Sequence, residues 1–85
     1  MLWSPVYLKR RLPRPLPTKD GGILYTVADV RSYTLRLPES RSNRRYWQRA
    51  CHLLLGQADV AALGPQVELA LFCDAQLDIE MIHTA

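Results

Sequence analysis

Four residues have the chemistry to hold a metal or attack a substrate: Cys51, His52, Cys73 and His83. A structural zinc site needs such ligands at set short spacings. No pair here has CxxC or HxxxH spacing, and the neighbours Cys51 and His52 would diverge by about 100° on a helix. No metal site and no cofactor are expected. A cysteine nucleophile also needs a base within hydrogen-bond reach and an acid to orient it. His52 could approach neither cysteine without a special helix arrangement. The sequence contains no GxSxG, no HExxH and no phosphate loop. The run "DGG" is a turn, and Asp74 and Asp78, four apart, read as solvated surface. A chain of 85 residues leaves little room for a lined pocket. The reading is that this is not an enzyme, and that both cysteines are small, unpaired core hydrophobes.

Cations offer a second kind of chemistry. Residues 1–49 hold all 11 Lys and Arg against three acids, net +8, while residues 50–85 hold five acids and no Lys or Arg, net −5. Arg41, Arg44, Arg45 and Arg49 surround Tyr46 and Trp47, a mix that could contact phosphates and stack on unpaired bases. Lys9, Arg10, Arg11 and Arg14 lie in a proline-rich segment that could track a groove. A helix-turn-helix does not fit, because the helix that would read bases carries Glu68 and Asp74 and no Arg or Lys. Tyr46 and Trp47 also fit an apolar helix stripe, the commoner fate of aromatics at that spacing. The arginines then have acids to meet, either in the C-terminal third of the same chain or on a partner.

These residues need elements to position them. Residues 1–20 read as a disordered basic tail: Pro5, Pro13, Pro15 and Pro17 remove backbone donors, and like charges repel. Its "RLPRPLP" resembles the extended Arg-Pro peptides that occupy bacterial chaperone grooves; the plainer alternative is a start site set too far upstream. Residues 21–79 read as a small helical domain, and 80–85 as a frayed end. "TVAD" is a capping-box-like start, and Val27, Val30, Tyr33 and Leu37 follow at helical spacing up to Pro38. That predicts a helix over about 27–37, although "YTLRL" alternates like a strand and leaves a hairpin open. A second helix over about 41–56 is capped by Ser40 or Ser42 and ends at a left-handed Gly56. A third spans about 59–76, with Asp59 as cap and a break at Gly64-Pro65, so that a turn at 59–63 leads into a helix from Pro65. The predicted fold is therefore all-α, a small three-helix bundle with a disordered Pro/Arg-rich N-terminal tail. Its predicted core is Val27, Val30, Tyr33, Leu37, Tyr46, Trp47, Ala50, Leu53, Leu54, Val67, Ala70, Leu71 and Cys73.

The stretches "TKDGGILYTVADVRSYTLRLP", "YWQRACHLLL" and "ADVAALGPQVELALFCDAQLD" together resemble a group of small uncharacterised alphaproteobacterial proteins. The likeness covers residues 18–79 and omits the tail; Gly64-Pro65 departs from the group's pattern. The resemblance implies helices and supplies no activity.

The third helix is apolar nearly all round, which in so small a domain points to a covering partner. Leu69 and Phe72 are the candidate self-association or partner surface. The functional expectation is a non-enzymatic helical interaction module that self-associates or binds an acidic protein partner. The alternative is weak, salt-sensitive nucleic-acid binding through the basic half. The longest apolar runs fall far short of a membrane span, and the N-terminus lacks a signal-peptide pattern, so a cytoplasmic protein is expected.

Overall fold

The proline-rich segment is where the fold departs most from that expectation. In the computed structural model, which describes residues 4–19 and 22–79, it forms a helix and a strand. Helix α1 (Pro5–Lys9) begins as local chemistry dictates, with the Ser4 hydroxyl accepting from the Tyr7 amide at 3.4 Å and Pro5 in the first turn. Strand β1 (Arg11–Thr18) runs antiparallel to β2 (Gly22–Thr26). Leu16, Pro17 and Thr18 face Leu24, Ile23 and Gly22, while Arg11 faces Thr26, so the register shifts between Arg11 and Leu16. Pro13 and Pro15 fall inside that irregular stretch, where the ladder asks for no regular donor.

Residues 76–78 cover the other edge of β1 at its C-terminal end. The Lys19 amide donates to the Gln76 carbonyl at 2.7 Å, and the Asp78 amide to the Pro17 carbonyl at 2.9 Å, flanking a bridge between Thr18 and Leu77. Burial explains why the segment is ordered. Tyr7, Leu12 and Leu16 enter the core, each worth about 1.5–3 kcal/mol when fully buried, which offsets the entropy that the prolines and charges suggested would win. The radius of gyration, 12.0 Å, matches the roughly 12 Å expected of a compact chain of this length.

The all-α bundle is thus corrected to α plus β: among the described residues, five helices and one two-stranded antiparallel sheet. Helix α2 (Val27–Leu35) has the anticipated capping box: the Asp29 amide donates to Thr26 Oγ1 at 3.3 Å, and the Thr26 amide to Asp29 Oδ2 at 3.1 Å. The choice between helix and hairpin within 23–37 falls to the helix, since "YTLRL" lies in α2 and the turn after it, while residues 22–26 are strand but pair with β1 outside that stretch.

The single helix over 41–56 is two, α3 (Glu39–Ser42) and α4 (Arg45–Leu55), because Arg44 is extended at φ −67, ψ 144. Neither Ser40 nor Ser42 caps α4, whose N-cap Arg44 offers no side-chain acceptor. Gly56 is not left-handed; Gln57 takes that role at φ 54, with the Ala58 amide on the Leu53 carbonyl and the Gln57 amide on the Leu54 carbonyl.

Helix α5 (Val60–Cys73) is continuous through Gly64-Pro65, so the turn expected at 59–63 is helix. Asp59 caps it as anticipated, accepting from the Ala61 amide at 2.9 Å. Pro65 forfeits only the bond to the Ala61 carbonyl, and both residues are exposed, where water can meet that oxygen. Gly64 is buried: a Cβ there would stand 2.8 Å from Pro13 Cδ, so the glycine is what lets β1 lie against α5. One core joins all of this, with Trp47, Leu63, Leu71, Val27, Val30, Val67 and Leu16 almost wholly enclosed.

Candidate interaction surfaces

The basic and acidic halves meet inside the molecule. Arg41 sits on α3, and the break at Arg44 separates it from α4. Its Nε donates to Asp74 Oδ2 at 2.8 Å, and its Nη2 lies 2.6 Å from the same oxygen. Trp47 is fully buried, and its indole N–H donates to that oxygen at 3.2 Å. The Tyr33 ring tilts against Trp47 at 5.6 Å between centroids, and Tyr33 Oη accepts from Arg41 at 3.3 Å. Asp74 closes the C-terminus of α5, a poor place for an anion, and Arg41 offsets that field. The pairing with Asp74 raises the pKa of Arg41 further.

A second pair, Arg14 with Glu68, ties β1 to α5 by two guanidinium–carboxylate hydrogen bonds. It also raises the pKa of Arg14, though at an exposed position, where solvent screens most of the gain. Of the residues foreseen as tail contacts, Lys9, Arg10 and Arg11 are exposed but belong to a folded segment, with the Arg11 guanidinium 5.9 Å from the Tyr25 ring centre. Tyr7 fixes that segment by donating from Oη to the Ala58 carbonyl at 2.6 Å.

Of the four arginines foreseen at an anion surface, Arg41 is turned inward, while Arg44, Arg45 and Arg49 are exposed. Helix α4 divides cleanly. Trp47, Ala50 and Leu54 are buried, and Arg45, Gln48, Arg49, His52 and Leu55 face solvent. Trp47 cannot stack on a base from its enclosed position.

Leu69 and Phe72 lie on the outer face of α5, 50% and 59% exposed. With Pro65 they follow helical spacing, and Leu77, Arg14 and Glu68 complete a shallow open groove of about 320 Å³. Sequence reasoning missed Leu77 and Arg14 here, because only the docking of β1 and the chain's end brings them to α5.

Both described cysteines are free. Cys51 is half-buried between α2 and α4, and burial pushes its thiol pKa up against the opposing hydrogen bond with Thr34. Cys73 is exposed, not in the core as expected. Among the described residues no three of His, Cys, Asp and Glu converge as metal ligands, and His83 lies outside them. No described helix is long and apolar enough to cross a membrane. No family model, curated protein or solved structure matches this chain.

Proposed function

We propose that the chain is a non-enzymatic protein-interaction module that self-associates through the outer face of α5. The observation that carries this is the exposure of Leu69 and Phe72 side by side on one helix face, bordering a groove with Pro65 and Leu77. An apolar strip rimmed by polar groups is the ordinary mark of an interface. The rim suits a second copy, because it presents both an arginine and a glutamate, Arg14 and Glu68. About a two-fold axis the two Arg14–Glu68 pairs, each kept within its own copy, can lie side by side with opposite charges facing. We take the setting to be cytoplasmic, in keeping with two free cysteines.

Sedimentation equilibrium of the full chain tests this. Wild type should be dimeric at tens to hundreds of micromolar, and Phe72→Glu should be a folded monomer with an unchanged circular dichroism spectrum. A wild type that stays monomeric at 500 μM sinks the reading; so does a Phe72→Glu that unfolds, since an exposed side chain should not hold the core.

Nucleic-acid binding is the second reading, and the exposed Arg44, Arg45 and Arg49 favour it. Two observations weigh against it. Trp47 is enclosed and its N–H is spent on Asp74. The basic groups also do not merge: Arg10 stands near Tyr7, which reaches Ala58 beyond one end of α4, whereas Arg44 and Arg45 start the other end, about 16 Å away along the axis.

A further inference from the structure

A second surface lies apart from the α5 face and changes character along its length. On α4 the exposed residues Arg45, then the neighbours Gln48 and Arg49, then His52 and Leu55 recur every three or four positions, a continuous strip about 15 Å long. Its first two turns are cationic, and Arg44 stands exposed at the cap. Among the described residues none of these three guanidiniums reaches a carboxylate, unlike those of Arg14 and Arg41. Its last turn is apolar. Leu55 is 67% exposed, Leu35 on α2 is 68% exposed, and between them lies a groove of about 170 Å³ lined also by Arg31, Thr34, Cys51 and Leu54.

We infer that this strip and groove bind an acidic, amphipathic peptide segment of a partner protein. One apolar side chain of the segment seats between Leu35 and Leu55, and its carboxylates meet Arg49, Arg45 and Arg44 about two to three turns further along. Charge complementarity selects the partner's chemistry. A second copy of this chain is a poor source of the acids, because four of its described carboxylates are already held in caps and pairs. Asp29 and Asp59 cap helices, Glu68 holds Arg14, and Asp74 holds Arg41 and Trp47. A nucleic acid is a poor occupant too, since the apolar groove offers nothing to a phosphate backbone and no aromatic stands on the exposed strip. The surface shares no residue with the α5 face, so the inference stands whether or not the chain self-associates.

The test is selection of displayed random twelve-residue peptides on the immobilised full chain. Anisotropy titration of the enriched peptides, made synthetically, follows. Enrichment should favour sequences with one large apolar residue and at least two acids. Arg45→Glu with Arg49→Glu should weaken those peptides at least tenfold, and Leu55→Asp should do the same. Raising salt from 50 to 300 mM should weaken binding several-fold. Phe72→Glu, on the other face, should leave it within twofold, which keeps a failure of self-association separate from a failure here. Every substituted residue is exposed, so melting curves should stay unchanged, and Arg45→Gln with Arg49→Gln serves if charge reversal disturbs the fold. Three outcomes overturn the inference. One is no enrichment of acidic-apolar sequences. Another is enriched peptides indifferent to the arginine and Leu55 changes. The third is tighter binding of a 20-base-pair duplex that the same arginine changes abolish.

Discussion

Gly64→Ala probes the docking of the N-terminal segment directly. A methyl group at residue 64 would stand 2.8 Å from Pro13 Cδ, 3.3 Å from Cγ and 4.0 Å from the Pro13 nitrogen. Carbon atoms rest at about 3.5–4.0 Å, so strand and helix must part by roughly 0.7 Å or more. Neither side yields easily, since the proline ring is rigid and residue 64 lies within a helix. Such overpacking costs about 1–3 kcal/mol. Against it, alanine gains about 0.8–1.0 kcal/mol over glycine inside a helix. The net expectation is a loss of about 1 kcal/mol in the wild-type background. In a Pro13→Ala background the ring atoms are gone, and the same substitution should gain about 0.5–1 kcal/mol. That reversal of sign, a coupling of about 1–2 kcal/mol, is what a close contact predicts and a distant one does not. Urea unfolding followed by far-ultraviolet circular dichroism measures all four proteins. With a slope near 1 kcal/mol/M, each kilocalorie moves the midpoint by about 1 M. If Gly64→Ala stabilises both backgrounds equally, β1 does not lie on α5, and the N-terminal segment is the loose tail its composition suggests.

Three further expectations concern the rest of the fold. Asp74→Ala strands the enclosed Trp47 N–H and the inward Arg41, and should cost about 2–4 kcal/mol, with Asp74→Asn milder because it keeps an acceptor for the indole; a loss below about 0.5 kcal/mol in thermal melts of the alanine variant would refute the hub. Ala75 ends α5 at φ 60, so Ala75→Gly should add about 0.5–1 kcal/mol, and a destabilised variant would contradict that backbone. Burial raises the Cys51 thiol above its ordinary value near 9, so the stability it contributes is full below about pH 9 and is lost as the pH climbs past it. Stability should therefore fall more steeply above pH 9 in wild type than in Cys51→Ala, and parallel curves would exclude an effect of the thiol.

What the sequence disclosed depended on how local the cause was. The capping box at Thr26 and Asp29 and the cap at Asp59 are decided within four residues, and both are present as read. The stripe of α4 is likewise local, and Trp47, Ala50 and Leu54 are buried as its period requires. The strand β1 was illegible because its support is remote. Pro17 finds a donor in Asp78, Pro13 a bed at Gly64, and Arg14 an acid in Glu68, partners 50 or more residues away along the chain. Read locally, four prolines and four cations mean disorder; Tyr7, Leu12 and Leu16 overturn that only once a core exists to receive them. The glycine at residue 64 looked like a helix break for the same reason, since its use lies in another element. On α5, apolar periodicity was smeared around the helix, yet Leu69 and Phe72 still emerged as the outward pair.

The charge asymmetry of the chain takes on a definite meaning in the fold. A half carrying +8 and a half carrying −5 must attract, and two of the resulting pairs, Arg14 with Glu68 and Arg41 with Asp74, hold α5 at its middle and at its C-terminus. Their placement differs in consequence. Arg41 with Asp74 is mostly enclosed and shared with Trp47, so breaking it leaves buried groups unpaired. Arg14 with Glu68 sits at the rim of an apolar groove, where it contributes little to stability but fixes the charge pattern a partner meets. Asp29, Asp59, Glu68 and Asp74 are taken in this way, as pairs and as caps, while Arg45 and Arg49 of α4 and Arg44 at its cap are not. That surplus faces solvent on one side of the helix pair and the apolar strip of α5 stands on its own face. A domain needing arginines only for its own stability would gain nothing from Arg44, Arg45 and Arg49 at the N-terminal end of a helix, where the dipole disfavours each by a few tenths of a kcal/mol. The acidic peptide inferred above would give them a use there.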